Sequence, residues 1–456
     1  MRHEVSPSKS ETTVLLEVVP EGFPAYYVGE SLLIGAWMLD TSLRVCVIGL
    51  GYVGLPTSLL LSKAGHQVHG FDVNPATVKS LNQGVATLKE PGLHEALQAA
   101  RLNGNFVASE SPSEADIFLI AVPTPVSKRK KADLRFVEAA TASIVPYIKP
   151  GNLVIVESTV PPGCCQEVVA TILRGSGLEA GKDYHLAHCP ERVLPGNALY
   201  ELAHNPRIIG GFSEECSAKA EAFYRSFVHG EIFTTGLYEA ELAKLTENAY
   251  RDVNLAFVNT LAAICEQIDV DVERVIELAN HHPRVNLLKP GPGVGGHCIP
   301  VDPWFLVQRF PAETPLLRTA RAVNDERPHR IVEKVLNSLE QQEVSEPTVA
   351  ALGVTYKANV CDVRESPALE IVELLKKKGI NVRVCDPVAN GRSPEPGVPL
   401  EEALQGADLV LGLVGHDCFK SLDLDKVEKL TGKRAAVVDA CGLWAQSSKP
   451  APAPVA

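Results

Sequence analysis

A single cysteine, Cys298, lies in a loop whose composition favours chemistry over packing. The stretch Pro290-Gly291-Pro292-Gly293-Val294-Gly295-Gly296-His297 before it is too rich in glycine and proline for the interior of a helix or strand. These glycines let the backbone approach a ligand closely and expose N–H groups to it. His297 adjoins the thiol and Asp302 follows four residues later. Because neighbouring charge controls thiolate formation, this pattern predicts a covalent nucleophile; a buried, unreactive cysteine in a structural turn is the alternative.

Two other groups of polar residues have the chemistry to serve the same reaction. Residues 238–268 contain no proline or glycine and carry apolar residues at helical spacing, which predicts a long helix. Lys244, Asn248 and Arg251 share one face of that helix, either as a solvated stripe or as a site. Asparagine is a poor mid-helix residue, which favours a site. Glu191 follows a short strand in a loop, a position suited to an acid–base group.

The elements that must position these residues begin with a nucleotide-binding unit. The apolar run Arg44–Ile48 predicts a buried strand, which leads into Gly49-Leu50-Gly51-Tyr52-Val53-Gly54 and a helix. In this pattern the first glycine permits the tight turn, the second lets a pyrophosphate approach, and the third packs the helix on the strand. A second strand ends at Asp72, whose carboxylate would bind a ribose 2′-hydroxyl and repel a 2′-phosphate. The sequence therefore predicts NAD rather than NADP.

Later strands repeat this arrangement. Residues 115–122 and 153–157 predict buried strands that end near Thr124 and Thr159, and hydroxyls at such ends face the ligand crevice of an open α/β sheet. From residue 349 a strand, a helix and a second strand ending at Asp386 recur without G-x-G-x-x-G, so we expect a different ligand there. The predicted fold class is α/β, with two doubly wound Rossmann-like domains joined by a central helical segment.

Domain boundaries follow from these patterns. We predict an NAD-binding domain over 43–210, a central helical domain with the cysteine loop over 211–330, a second Rossmann-like domain over 331–446, and a Pro- and Ala-rich tail over 447–456. Residues 1–42 form an N-terminal extension. The chain has only two methionines, Met1 and Met38, and the second lies six residues before the first strand. We therefore expect translation of the native protein to start at Met38.

Composition excludes several other classes of protein. The net charge of −12 argues against a nucleic-acid or anionic-membrane binder. The sequence has 11 cysteines, an odd number, and they are unevenly spaced without a C-x-x-C pair. This pattern indicates reduced thiols in a cytoplasmic protein, and it predicts no metal site. No apolar run reaches about 18 residues, so no membrane-spanning helix is predicted.

A nucleophilic thiol beside a dinucleotide suggests a specific reaction. A thiolate adds to an aldehyde, hydride leaves to NAD, and the resulting thioester is hydrolysed to a carboxylate. The second Rossmann-like domain suggests a nucleotide-linked substrate. Two alternatives remain open at this stage: a two-electron hydroxyacid dehydrogenase, which needs no thiol, and a nucleotide sensor without catalysis.

The motifs resemble those of the UDP-glucose/GDP-mannose dehydrogenase family over about residues 43–445. The resemblance rests on the glycine loop, Pro123-Thr124-Pro125, Glu157 to Gly163, Pro190-Glu191-Arg192-Val193, Lys244 with Asn248, the cysteine loop, and Tyr356-Lys357 with Asp362 to Pro367. Within the family, His282-Pro283-Arg284-Val285-Asn286 and the residues around Cys298 are similar to the UDP-N-acetylmannosamine branch. UDP-N-acetylglucosamine and UDP-glucose remain alternative substrates.

The resemblance implies a four-electron oxidation of C6 of a UDP-hexosamine, a place in polysaccharide biosynthesis, and roles for particular residues. Cys298, Lys244, Asn248, Asp302 and Glu191 would be catalytic. NAD would contact Gly49, Gly51, Tyr52, Val53, Gly54, Asp72, Thr124, Thr159 and Arg364. The UDP-sugar would contact Arg192, Val193, Lys244, Asn248, Arg251, His282, Arg284, Gly295, Tyr356 and Lys357. The family also implies a homodimer or higher homo-oligomer formed through the central helix, with Arg284 placed in the neighbour's site.

Overall fold

The structure is a computed structural model of the 456-residue chain, and it describes residues 42–127, 129–193, 196–389 and 391–444. Residues 1–41 of the predicted extension and the predicted tail lie outside these ranges. Among the helices in the described ranges, none combines the length and the apolar character needed to cross a membrane.

The larger of the two sheets has eight strands. Its strands are β1 (Arg44–Ile48), β2 (Gln67–Phe71), β3 (Phe106–Ser109), β4 (Ile117–Ile120), β5 (Leu153–Val156), β6 (His185–His188), β7 (Arg207–Gly211) and β8 (Ile232–Gly236). Their order across the sheet is β3-β2-β1-β4-β5-β6-β7-β8. Every neighbouring pair is parallel except β6 and β7, which are antiparallel.

Helices cover both faces of this sheet, which explains why its inner strands are apolar throughout. They are α1 (Gly54–Lys63), α2 (Pro75–Asn82), α3 (Leu93–Leu102), α4 (Arg135–Ile144), α5 (Ala170–Leu173, after a π-helical turn at Cys165–Val169), α6 (Ala198–His204) and α7 (Glu214–Tyr224). Short 3-10 turns lie at Val145–Tyr147 and Arg174–Ser176. All residues of β4 and β5 are buried, as the sequence predicts for central parallel strands.

Four helices form the central segment: α8 (Leu237–Gln267), α9 (Val272–Asn280), α10 (Asp302–Arg309) and α11 (Pro315–Glu340). The long helices α8 and α11 pack together through a buried polar network. Arg321 lies 2.5 Å from a carboxylate oxygen of Asp252, and the side-chain amide of Asn324 donates to the same residue at 2.9 Å. Removal of either member of such a buried pair would leave the other charge uncompensated, so the pair fixes how the two helices pack.

A second, four-stranded parallel sheet completes the fold. It comprises β9 (Thr348–Leu352), β10 (Asn381–Cys385), β11 (Leu409–Gly412) and β12 (Ala436–Asp439), in the order β10-β9-β11-β12. Helices α12 (Pro367–Lys377), α13 (Leu400–Leu404) and α14 (Leu424–Thr431) flank it, with a 3-10 turn at Asp417–Phe419. The predicted fold class is confirmed: two doubly wound sheets joined by a helical segment. The domain boundaries at 210 and 330 stay predictions, and the first sheet continues to β8.

Candidate active site

The cysteine loop owes its path to glycines that lie against the second Rossmann-like domain. A Cβ on Gly295 would lie 2.6 Å from the carbonyl oxygen of Glu365 and 2.8 Å from Cβ of Tyr356, so no larger residue fits without displacement. Gly296 has φ +84° and donates its N–H to the carbonyl of Arg364 at 3.2 Å. The loop that carries the thiol is therefore attached directly to the C-terminal domain.

The other end of this loop is held by the central helices. The N–H of Gly291 donates to Oδ1 of Asn259 at 3.0 Å, and its carbonyl accepts from Nε of Arg327 at 3.2 Å. Asn259 in turn donates to Oδ1 of Asn324 at 2.9 Å. The sequence analysis did not identify this group; a signal was available in the buried polar residues at helical spacing on α8 and α11.

Helix α8 brings two of the predicted residues to the thiol. Lys244 and Asn248 are buried, and Nδ2 of Asn248 donates to Oδ2 of Asp302 at 2.6 Å. The N–H of Asp302 donates to the carbonyl of Cys298 at 2.8 Å, which begins α10. One hydrogen bond thus joins the Lys244 face of α8 to the turn that carries the Cys298 thiol.

Arg251 does not share this environment, although it lies on the predicted helical face. Its side chain is exposed, whereas Lys244 and Asn248 are buried. Its charge nevertheless lowers the pKa of the half-buried Tyr356, a smaller effect than the opposing effect of burial. Arg251 therefore lies at the side of the site that faces the C-terminal domain.

The electrostatics of the cluster keep Cys298 protonated at neutral pH. Withdrawal from water and the negative charge of Asp302 raise the pKa of the thiol to about 11, against the lowering effect of Lys244. Burial raises the pKa of Asp302 to about 6, although Lys244 and the hydrogen bond from Asn248 act to lower it. The thiolate, which is the reactive form of a cysteine, is therefore disfavoured in the ligand-free protein.

The charge of Lys244, which acts on Cys298 and Asp302, also acts on Glu191. Loss of water raises its pKa to about 7, against the lowering effects of Lys244 and Arg207. A carboxyl group with this pKa can exchange protons near neutral pH. One of its oxygens accepts the N–H of Val193. The neighbouring Arg192 donates to Glu247 on α8 at 2.7 Å.

The glycine loop forms a dinucleotide cradle. Gly49 has φ +94°, and a Cβ there would lie 2.5 Å from the carbonyl oxygen of Ala121. A Cβ on Gly54 would lie 1.9 Å from the carbonyl oxygen of Gly49, whereas Gly51 faces open space. The three glycines thus fulfil the turn, approach and packing roles that a bound pyrophosphate requires.

Two further predicted cofactor contacts have defined partners. Asp72 accepts the N–H of Leu50 at 2.9 Å and that of Asn74 at 2.8 Å, so its carboxylate is fixed at the end of β2. The hydroxyl of Tyr52 donates to the buried Glu90. Val53, Thr124 and Thr159 follow the carboxyl ends of β1, β4 and β5, with both threonines partly exposed.

Arg364 connects the two nucleotide-binding regions. Its guanidinium pairs with Asp362 at 2.6 Å, and its charge acts on Tyr52 and on Cys298. Tyr356 is half-buried beside the cysteine loop, whereas Lys357 is exposed.

His282 and Arg284 stand apart from the cluster within this chain. Both side chains are exposed just after α9, and Nδ1 of His282 accepts the N–H of Arg284 at 3.3 Å. In the described part of the chain, no three metal-binding side chains come together as a candidate metal site.

Comparison with known proteins identifies the family. Models of the UDP-glucose/GDP-mannose dehydrogenase family match its NAD-binding domain at residues 43–228, its central domain at 238–326 and its UDP-binding domain at 350–446. The chain belongs to this family. It is therefore an NAD-dependent nucleotide-sugar dehydrogenase, which confirms the predicted enzyme class and cofactor.

Individual relatives of this family member cover nearly the whole chain. A UDP-N-acetyl-D-mannosamine dehydrogenase from Methanocaldococcus jannaschii is 44% identical and covers 86% of this chain and 90% of its own. An NDP-N-acetyl-D-galactosaminuronic acid dehydrogenase from Ralstonia nicotianae is 43% identical, with 89% and 97% covered. The solved UDP-D-ManNAc dehydrogenase of Pyrococcus horikoshii has a TM-score of 0.82 at 38% identity, with 88% and 96% covered.

Proposed function

We propose that this dehydrogenase oxidises C6 of UDP-N-acetylmannosamine from an alcohol to a carboxylate, with two NAD⁺ and one water consumed. The observation that carries the proposal is the hydrogen bond between Asn248 and Asp302, which joins the Lys244 face of α8 to the turn of Cys298. The result is a thiol, an ammonium, an amide and a carboxyl group in one cluster. A two-electron dehydrogenase would have no use for the thiol, so the cluster favours oxidation to the acid.

In the first oxidation, side chains of α8 bind and polarise the C6 hydroxyl group. Lys244 stabilises the alkoxide that develops on the oxygen, and Asn248 donates a hydrogen bond to it. Burial of both side chains strengthens these interactions, because water does not screen them. Bound NAD⁺ supplies the hydride acceptor for each oxidation.

In the second stage Cys298 forms a carbon–sulfur bond. The thiol loses its proton and adds to the C6 aldehyde, and loss of hydride from the thiohemiacetal leaves a thioester. Glu191 and Asp302, with pKa values of about 7 and 6, activate and position the water that hydrolyses it. The positive charge of Lys244 favours the thiolate, against the effects of burial and of Asp302.

The predicted cofactor contacts fit an NAD site. The open space at Gly51 leaves room for the pyrophosphate, and Asp72 is fixed where the adenosine ribose would lie. We propose that Tyr52, Val53, Thr124 and Thr159 complete this site, together with Gly49, Gly54 and Arg364.

For the UDP-sugar we propose contacts on both sides of the cysteine loop. Gly295 and Tyr356 form the wall shared with the C-terminal domain, and Arg251 and Lys357 supply positive charge beside it. Arg192 and Val193 approach from the loop of Glu191. A guanidinium suits a diphosphate because its planar donors pair with two oxygens.

A homodimer is the assembly we propose, through an exposed apolar stripe on α8. Tyr250, Phe257 and Ile264 are 67%, 56% and 52% exposed, and their seven-residue spacing places them on one side of the helix. A second copy would cover this stripe through a two-fold interface. The exposed Arg284, which lies beside His282, would then be free to enter the partner's site, as the family resemblance implies.

The identity of the hexosamine is tested with a panel of UDP sugars. UDP-N-acetylmannosamine should produce two NADH per sugar, with slower turnover of UDP-N-acetylglucosamine, UDP-N-acetylgalactosamine and UDP-glucose. The galactosamine derivative is included because of the Ralstonia relative. Preference for another sugar would change the proposed substrate, and one NADH per sugar would contradict the four-electron reaction.

The cysteine mechanism is tested with Cys298→Ser. We expect carboxylate formation to fall by about 10³-fold or more while NADH binding is kept. Cys418→Ser, which alters an exposed thiol in the C-terminal domain, is the matched control. Wild-type acid production by Cys298→Ser would overturn the mechanism.

A further inference from the structure

Strand β7 runs antiparallel to β6, and its first residue, Arg207, lies beside the loop that carries Glu191. In the antiparallel ladder Ala187 pairs with Gly211 and His188 with Gly210. Continuing this register past the end of β6 brings Arg207, the first residue of β7, opposite Glu191. In agreement with that register, Arg192 donates a hydrogen bond to the carbonyl of Pro206.

The guanidinium of Arg207 is buried and fixed from several sides. Nη2 donates to the carbonyl of Leu202 at 2.9 Å, and Nη1 lies 3.8 Å from Sγ of Cys189. Nη1 also lies 3.7 Å from Oε1 of Glu157, and the ring of Tyr224 lies 5.1 Å from the guanidinium carbon. These contacts fix the position of the buried guanidinium.

Glu157 belongs to the same cluster and carries the opposite charge. It follows the last residue of β5 and accepts a 2.7 Å hydrogen bond from the hydroxyl of Tyr224. Cys189 follows the last residue of β6 and precedes Pro190-Glu191. The ends of β5 and β6 and the start of β7 therefore meet under the loop of Glu191.

Charged groups from four elements face Glu191. Burial raises its pKa most, Lys244 from α8 and Arg207 from β7 lower it, and Glu157 at the end of β5 raises it. The cysteine loop contributes the thiol of Cys298, whose pKa Glu191 raises. Of the two cations, only Arg207 lies outside the cluster that we assign to the reacting atoms.

We propose that Arg207 is a positioning residue that holds the loop of Glu191 and keeps this carboxylate able to take a proton from water. The proposal rests on the function proposed above. In the hydrolytic step the oxygen of water bonds to the acyl carbon, and one water proton passes to Glu191. The carbon–sulfur bond then breaks with its electron pair on Cys298, and no oxidation or reduction occurs.

Variants of Arg207 and Glu157 test the charge effect in opposite directions. The measurement is the pH dependence of thioester decay in single turnovers with UDP-N-acetylmannosamine, followed by acid quench and intact mass. Arg207→Met should move the acid limb of this profile upward by about one pH unit, because a charge that favours ionised Glu191 is lost. Arg207→Lys should stay near wild type. Glu157→Gln should move the limb downward.

A merely structural role predicts another pattern. Arg225→Met removes an exposed arginine that pairs with Glu221, and it should leave the profile unchanged. If Arg207→Met melts like wild type and binds NADH with wild-type affinity, an unshifted acid limb overturns the proposal. If this variant does not fold, Arg207→Gln takes its place: an upward shift supports the proposal, and no shift or a downward shift overturns it.

Glu191→Gln separates this inference from the proposed function. Wild-type hydrolysis in that variant would overturn the role of Glu191 and, with it, the role of Arg207. Slow hydrolysis in Glu191→Gln beside an unshifted, folded Arg207→Met would overturn the role of Arg207 alone.

Discussion

Nδ2 of Asn248 lies 2.6 Å from Oδ2 of Asp302, and this bond links the central helix to the turn that begins at Cys298. It fixes the carboxyl group close enough to the sulfur for its charge to raise the pKa of the thiol. The same carboxyl group is assigned to the water that attacks the thioester. Asp302 therefore opposes one chemical step and assists another.

Asp302→Asn should separate those two effects. Loss of the negative charge lowers the pKa of Cys298, so alkylation of the ligand-free thiol at neutral pH should become faster. Carboxylate release should fall by about 10²-fold, because the group that activates water is missing. Iodoacetamide labelling and acid-quench mass spectrometry measure the two rates. A decrease in both the alkylation rate and the rate of carboxylate release would contradict the role assigned to Asp302 and would indicate a distorted loop.

The pH dependence of the ligand-free thiol is a second prediction. With a pKa of about 11, Cys298 should be alkylated slowly at pH 7 and progressively faster as the pH rises towards 11. The test uses the enzyme without NAD⁺ or UDP-sugar, because the pKa of about 11 applies to the ligand-free thiol. Peptide mapping at Cys298 gives the rate. A plateau already reached at pH 8 would show a thiolate formed before any ligand binds.

The C-terminal domain should lose stability in acid because of Asp386. Burial raises the pKa of this carboxyl group, but hydrogen bonds from His416 and from the N–H groups of Val354 and Ala389 outweigh it and bring the pKa to about 2. Its ordinary value is 3.8. A lowered folded-state pKa stabilises the protein fully above the unfolded value, and this contribution is lost as the pH falls from about 4 to 2.

Asp386→Asn tests that contribution, which is about 2 kcal/mol at neutral pH. Hydrogen exchange of peptides from β9 and β10 should show weaker protection in the variant at pH 7, and the difference should shrink as the pH is lowered towards 3. Asp425→Asn, an exposed change in the same domain, is the control. A difference that stays constant with pH would assign the loss to packing rather than to ionisation.

Phe257→Glu should disrupt the proposed dimer. The side chain is 56% exposed at the middle of the apolar stripe on α8, and a carboxylate there would have to be desolvated against a second copy. Sedimentation should show a dimer for wild type and a monomer for the variant, with an unchanged far-UV spectrum. Gln267→Glu, which adds a carboxylate at the exposed end of α8, is the control. A wild-type enzyme that sediments as a monomer would refute the assembly.

Much of the fold could be predicted because the residue pattern of each segment indicates its own secondary structure. The bounds of β1 match the predicted apolar run, and α8 matches the stretch without proline or glycine to within one residue. These elements are decided by their own side chains. The reversal of β7 could not be predicted, because strand direction in the sheet depends on the connection around α6 rather than on the residues of the strand.

The site shows the same division. The glycine loop and the pairing of Lys244 with Asn248 follow from spacing, since helix geometry places residues four apart on one face. The same reasoning included Arg251, whose side chain is exposed in the structure. Helix periodicity shows which residues share a face, but it does not show how far along that face the neighbouring domain extends. The raised pKa of Cys298 could not be predicted from the sequence either, because it depends on the burial of the thiol and on its distance from Asp302 in the folded protein.

The close approach of Gly295 to Tyr356 and to the carbonyl of Glu365 makes the sulfur-bearing backbone part of the wall of the second Rossmann-like domain. In the arrangement proposed for the UDP-sugar, the distance from the nucleotide to the sulfur would therefore depend mainly on the main chain. A substrate whose sugar–diphosphate unit is one bond shorter or longer would then present a different carbon to the sulfur, even if its hydroxyl groups were well bound.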